Sequence, residues 1–128
     1  MKNIKQLSIF AENKPGKLEH ITQVFGENKV NILAFNIASQ GDFGILRFIV
    51  DKPEKAFDAF KKAGFTVSMN DVFAIEMEDK PGGFHNVARF IAKNGLNIEN
   101  AYVFIEKDRQ TAMLICDIKD TEKAKKTL

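Results

Sequence analysis

The chain has 128 residues, 45% of them hydrophobic and 28% charged, with a formal net charge of +2. That balance excludes a disordered segment, which would be poorer in apolar residues and more highly charged. It also argues against nucleic acid as a partner, because the charge divides into +3 over residues 1–70 and −1 over residues 71–128, and neither half implies a basic face.

The start, MKNIKQLSIF, lacks the uninterrupted apolar core of a signal peptide. No run approaches the length that spans a bilayer; the best candidate, FGILRFIV, is short and broken by Arg47. Residues 5–11 read as a short apolar strand, after which Leu18, Ile21 and Phe25, flanked by Val24, recur at helical spacing. Asn31 to about Ser39 reads as a second strand, Gln40-Gly41-Asp42 as a turn, and Ile45 to Val50 as the hairpin partner. Pro53 opens a second helix whose stripe is Ala56, Phe57 and Phe60, and Ala63-Gly64 closes it before a last short strand, Phe65 to Met69. The lysines 52, 55, 61 and 62, with Glu54 and Asp58, form the wet face of that helix. The order strand, helix, strand, strand, helix, strand implies an α+β split βαβ sandwich, with both helices on one face of a four-stranded antiparallel sheet.

The same order begins again at Val72. QLSIFAENKPGKL (6–18) returns as VFAIEMEDKPGGF (72–84), and Asn28, Asn31 and Ile32 return at the same spacing as Asn94, Asn97 and Ile98. The run DKPEKA from Asp51 returns two residues out of step as KDTEKA from Lys119, so the second hairpin, between Tyr102 and Ile118, is two residues longer. A repeat of this length implies one unit copied and packed against itself, here residues 1–70 and 71–128. Phe84, Val87, Phe90 and Ile91 make the stripe of the second unit's first helix. That unit ends at Leu128 inside its second helix and lacks a counterpart of Phe65 to Met69, which would leave Val72 to Glu78 as an unpaired edge unless another element covers it.

Pro15-Gly16 and Pro81-Gly82 are type II turn signatures that aim the first amides of the following helix, and the positive end of its dipole, at whatever lies above. A carboxylate or phosphate suits that place. Asn13 and Asp79, just before the turns, either cap those amides or hold a ligand's ammonium group. His20 and His85 fall between apolar stripe positions and read as solvated. With Cys116 distant they make no metal-ligand spacing. Cys116 itself, in the apolar run MLICDI, reads as a buried inert thiol, and a reducing, cytoplasmic setting fits. No nucleophile stands beside a base, so the chain is read as non-catalytic, with no cofactor.

The pattern Asn/Asp-x-Pro-Gly-x-Leu/Phe entering a helix, followed by Asn-Ile at the next strand, occurs as NKPGKL with Asn31-Ile32 and as DKPGGF with Asn97-Ile98. It resembles the ACT domain, a ferredoxin-like βαββαβ ligand-sensing module of amino-acid metabolism, and the resemblance covers the chain as a tandem pair. It implies an amino-acid effector held where two units meet, by the strand-to-helix loop of one and the following-strand Asn, often from its neighbour. Carried over, the ligand-binding positions are Asn13, Pro15, Gly16, Lys17, Leu18, Asn31 and Ile32, and Asp79, Pro81, Gly82, Gly83, Phe84, Asn97 and Ile98. The carboxylate of Asp79 attracts ammonium and opposes a ligand carboxylate, so the two sites are expected to differ in affinity. The implied protein is a regulatory homodimer or higher homo-oligomer acting on an unidentified partner enzyme, with no membrane or nucleic acid involved. The alternatives are a structural or protein-interaction module without ligand, and an RNA-binding domain of the same strand order. The strands KQLSIFA and ILRFIV lack the glycine-and-aromatic signature of RNA-recognition motifs.

Overall fold

In the computed structural model, which describes residues 2–105 and 110–127, the chain forms antiparallel strands and helices in an α+β arrangement. In chain order these are β1 (Lys2–Glu12), α1 (Lys17–Glu27), β2 (Ile32–Gln40), β3 (Phe43–Val50), α2 (Pro53–Lys62), β4 (Thr66–Glu78), α3 (Gly83–Lys93), β5 (Ile98–Ile105), β6 (Thr111–Ile118) and α4 (Thr121–Thr127). Residues 5–70 make one compact unit, and the described residues of 71–128 make another together with residues 2–4. Two boundaries differ from the sequence reading. β1 begins at Lys2, and the two short strands expected around residues 65–69 and from Val72 are one strand, β4. No glycine or proline falls between Thr66 and Glu78, so nothing in the backbone chemistry breaks the extended run.

In the first unit the strand order is β2-β3-β1-β4. β1 pairs antiparallel with β3, Leu7 opposite Phe48 and Ile9 opposite Leu46, and β3 pairs antiparallel with β2. Alternation along the strands places Leu7, Ile9, Leu46, Phe48 and Val50 on one face. They share a single buried cluster with Ile21, Val24 and Phe25 of α1 and Ala56 and Phe60 of α2, which puts both helices on that face. The Phe25 ring lies 4.8 Å from Phe48 and 4.7 Å from Phe60, and Phe60 lies 5.3 Å from Phe65. Leu18, expected in the α1 stripe, is instead exposed.

In the second unit β4 pairs antiparallel with β6, Phe73 opposite Cys116, and β6 pairs with β5. β1 is the other strand hydrogen-bonded beside β4. The core is Phe73, Ile91, Leu96, Leu114, Cys116, Ile118 and Ala124, and Lys125 of α4 meets the Asp71 carboxylate at 3.2 Å. Of the expected α3 stripe, Ile91 is buried while Phe84 and Phe90 are exposed. In the first unit the corresponding helix lies against Phe65, for which the repeat offers no counterpart within residues 71–128. The extra hairpin residues fall on 106–109, outside the described residues, as does Leu128.

Burial pushes the Cys116 thiol up to about 12 from an ordinary 9.0. A thiol favoured in its neutral form by folding contributes stability below about pH 9, and that contribution is lost as pH rises from 9 toward 12. An aromatic disulfide reagent at mildly alkaline pH should therefore label Cys116 only as fast as the unit opens, and at once in denaturant. Prompt labelling of the folded protein would contradict this burial.

Candidate functional site

The two strand-to-helix loops have the same backbone. The Lys17 N–H donates to the Lys14 carbonyl at 3.3 Å and the Gly83 N–H to the Lys80 carbonyl at 2.9 Å. Gly16 has φ 90° and ψ −13°, and Gly82 has φ 85° and ψ −11°. Both are type II turns, with proline and glycine at the two central positions. The lysine that opens each turn reaches back to the glutamate ending the preceding strand, Lys14 to Glu12 at 3.6 Å and Lys80 to Glu78 at 2.7 Å. The hydrogen bond and charge of Glu78 hold the Lys80 ammonium above the usual lysine range.

Neither α1 nor α3 receives a side-chain cap, since each is preceded by glycine. Asn13 does not cap. Its side-chain amide donates to the Gly41 carbonyl at 3.3 Å and its N–H to the Asp42 carbonyl at 2.7 Å, which ties the loop to the β2–β3 turn. Asp79 is tied likewise, its N–H donating to the Gln110 carbonyl at 2.9 Å. The Lys17 and Gly83 N–H groups close the turns, and the next amides of the first turn, at Leu18 and Glu19 and at Phe84 and His85, are left for solvent or a ligand. Leu18 and Phe84, at matching positions, are exposed beside them, as are Pro15 and Pro81.

Gly83 differs from its counterpart Lys17. A Cβ at Gly83 would overlap the Glu78 carbonyl oxygen and lie 3.0 Å from its carbon, so the buried glycine is required by close backbone approach.

The following-strand asparagines are exposed. The Asn31 N–H donates to the Asp51 carboxylate at 2.9 Å, and the Asp51 N–H returns to the Asn31 carbonyl at 3.1 Å. Asp51 was not singled out as a site residue, although the repeated charged run offered a signal, with Lys119 at the aligned place in the second repeat. Directly after each asparagine the strand register shifts, between Ile32 and Ala34 and between Ile98 and Asn100. Such bulges re-aim side chains, and no sequence pattern announced them. Ile32 and Ile98 pack against their own units' cores.

One repeat does not bring its polar positions together. Asn13 sits at the turn that follows β2 and Asn31 at its start, and a nine-residue strand at about 3.3 Å per residue separates them by roughly 30 Å. Asp79 and Asn97 are divided in the same way by β5. Among the described residues no group of three His, Cys, Asp or Glu could hold a metal ion, and no helix is long and apolar enough to cross a membrane.

An α+β tandem with twin Pro-Gly turns opening onto uncapped helices defines a protein of the ACT class. The chain belongs to that family, the model of the ACT domain pair matching residues 2–128. It is similar to protein BT0572 from Bacteroides thetaiotaomicron, at 37% identity and a TM-score of 0.91 over 98% of this chain and 86% of that one. Its fold is also that of the regulatory subunit of aspartate kinase from Thermus thermophilus, in a ligand-free form, at 15% identity and a TM-score of 0.72 over 100% and 93% of the two chains. The Thermus flavus regulatory subunit matches at 14% identity and a TM-score of 0.65 over 99% and 90%. No curated protein matches the chain.

Proposed function

We propose that the protein is a non-catalytic regulator that binds a small amino acid or related metabolite between ACT units of two chains and so modulates a partner enzyme of amino-acid metabolism. The observation that carries this reading is the pair of uncapped helix starts behind identical Pro-Gly turns, which leaves oriented donors for a carboxylate in both repeats. The repeats 1–70 and 71–128 are the ligand-binding modules, with Asn13, Asn31, Asp79 and Asn97 as the polar positions. The separation of Asn13 from Asn31 within a repeat favours a site completed by another copy. So does the stripe of exposed apolar residues on β2, Leu33, Phe35 and Ile37, which a homodimer or higher oligomer would cover. Residues 2–4 fold with the described residues of 71–128, which favours the start of β1 as the cover for the β4 edge of that unit.

A thermal-unfolding screen against the amino acids tests the reading. A ligand at a hundred times its dissociation constant is expected to stabilise the fold by about 2.7 kcal/mol. The gain should shrink in the Asn13→Ala, Asn31→Ala double variant, and the Asn13→Ala and Asp79→Ala single variants should show unequal affinities. No selective shift with any amino acid would overturn the proposal.

A further inference from the structure

The first repeat holds a hollow of about 350 Å³ on the side of α1 that faces the α2–β4 turn. It is lined by Phe10, Phe43 and Phe65, by Lys17 and His20 of α1, and by Glu12. Its size falls within the lower range of small-molecule sites. Phe10 and Phe43 are 42% and 67% exposed, rings that the core does not use. His20 is exposed, and its imidazole lies 5.1 Å from the Phe65 ring, at the end of a run of rings that continues through Phe60 and Phe25.

The charges in the hollow do not cancel. Glu12 already faces Lys14 at 3.6 Å, whereas no carboxylate among the described residues pairs with Lys17. An unpaired ammonium beside an imidazole and three exposed or half-exposed rings suits a ligand that brings a negative charge and a flat apolar body.

The second repeat is an internal comparison. Its corresponding hollow, about 320 Å³, has Gly83 and Asn86 where the first has Lys17 and His20, and Glu76 where the first has Phe10. The cation, the imidazole and the three rings have no counterpart there, Phe90 is the one ring in the lining, and Glu76 is a carboxylate added to Glu78, the counterpart of Glu12. Glu78 already faces Lys80 at 2.7 Å, so the charge difference rests on Glu76 and on the loss of the Lys17 ammonium, and an anion that fits the first hollow finds no cation in the lining of the second.

We propose that the first repeat carries, within itself, a site for a small aromatic carboxylate, its ring among Phe10, Phe43 and Phe65 and its carboxylate at Lys17 and His20. This site needs no second copy of the chain and does not use Asn13, Asn31, Asp79 or Asn97. It shares Lys17 with the interface site proposed above and differs from it in drawing on Phe10, His20, Phe43 and Phe65 of a single unit.

The test is a titration of the labelled full chain with phenylacetate, followed by amide chemical shifts. Saturable shifts are expected at Lys17, His20, Gly64 and Phe65, and none at Gly83 or Asn86. Lys17→Met should weaken binding roughly tenfold, as expected for losing one charge-assisted contact. His20→Asn, which installs the residue of the second repeat, should also weaken it, and Lys55→Met on the exposed face of α2 should not. Phenethylamine, with the same ring and the opposite charge, should bind roughly tenfold or more weakly. The proposal is overturned by equal binding of phenethylamine, by an unaltered affinity in a folded Lys17→Met variant, by shifts confined to Asn31 and Asn97, or by no saturable shift. Lys17 reports on both sites, but Gly64 and Phe65 report only on this one and Asn31 only on the interface, so failure here and failure of the interface reading are told apart.

Discussion

Replacing Gly83 with alanine should destabilise the second unit by about 3 kcal/mol, the upper end of overpacking costs, because the added carbon meets backbone that cannot swing aside. The obstacle is the Glu78 carbonyl, the last residue of β4, so relief requires moving the strand end or the helix start. Two neighbouring substitutions calibrate the effect. Gly82→Ala has open space around the new carbon and suffers only from its φ of 85°, a cost of about 1 kcal/mol. Lys17→Ala, at the matching place in the first repeat, should change stability by no more than about 0.5 kcal/mol. Urea unfolding of the three variants should give that order. A Gly83→Ala protein within about 1 kcal/mol of the parent would show that the loop is not held as tightly as its geometry implies.

Phe25→Ala should cost about 4 kcal/mol, in the range for emptying an aromatic core position. The residue is 2% exposed, and its ring is the link between Phe48 of the sheet and Phe60 of α2. Removing it leaves a cavity bounded by both, and neither can fill the space without leaving its other neighbours. Phe90→Ala is the contrast: 46% exposed, it should cost under about 1 kcal/mol. Denaturant midpoints for the pair, with hydrogen exchange to show which unit loses protection, would check both the magnitude and its location. Similar losses for the two would contradict the burial difference.

The loops show where reading residues succeeds. Proline fixes one dihedral and glycine supplies the next, so Lys14-Pro15-Gly16 and Lys80-Pro81-Gly82 specify a type II turn with little help from the rest of the chain. The apolar periods of α1 and α2 likewise placed Ile21, Phe25, Ala56 and Phe60 correctly in the first core. Leu18 and Phe84 were misassigned to buried stripes, because periodicity reports which face of a helix is apolar, not whether anything lies against its first turn. Capping and ligand binding are both open to Asn13 from its position in the sequence, and the group that draws its side chain away from capping, the Gly41 carbonyl, lies 28 positions away.

The sequence by itself determined the duplication, the α+β element order, the twin turns and membership of the ACT family, because each rests on local backbone chemistry or on a pattern repeated along the chain. Only the tertiary structure decided that Asn13 is drawn to the hairpin turn, that Gly83 is glycine for want of space, that residues 2–4 fold with the second unit, and that Lys17, His20 and three phenylalanines surround one hollow. Those facts depend on which distant segments meet, and contacts between residues far apart in the chain leave no periodic trace in either segment alone.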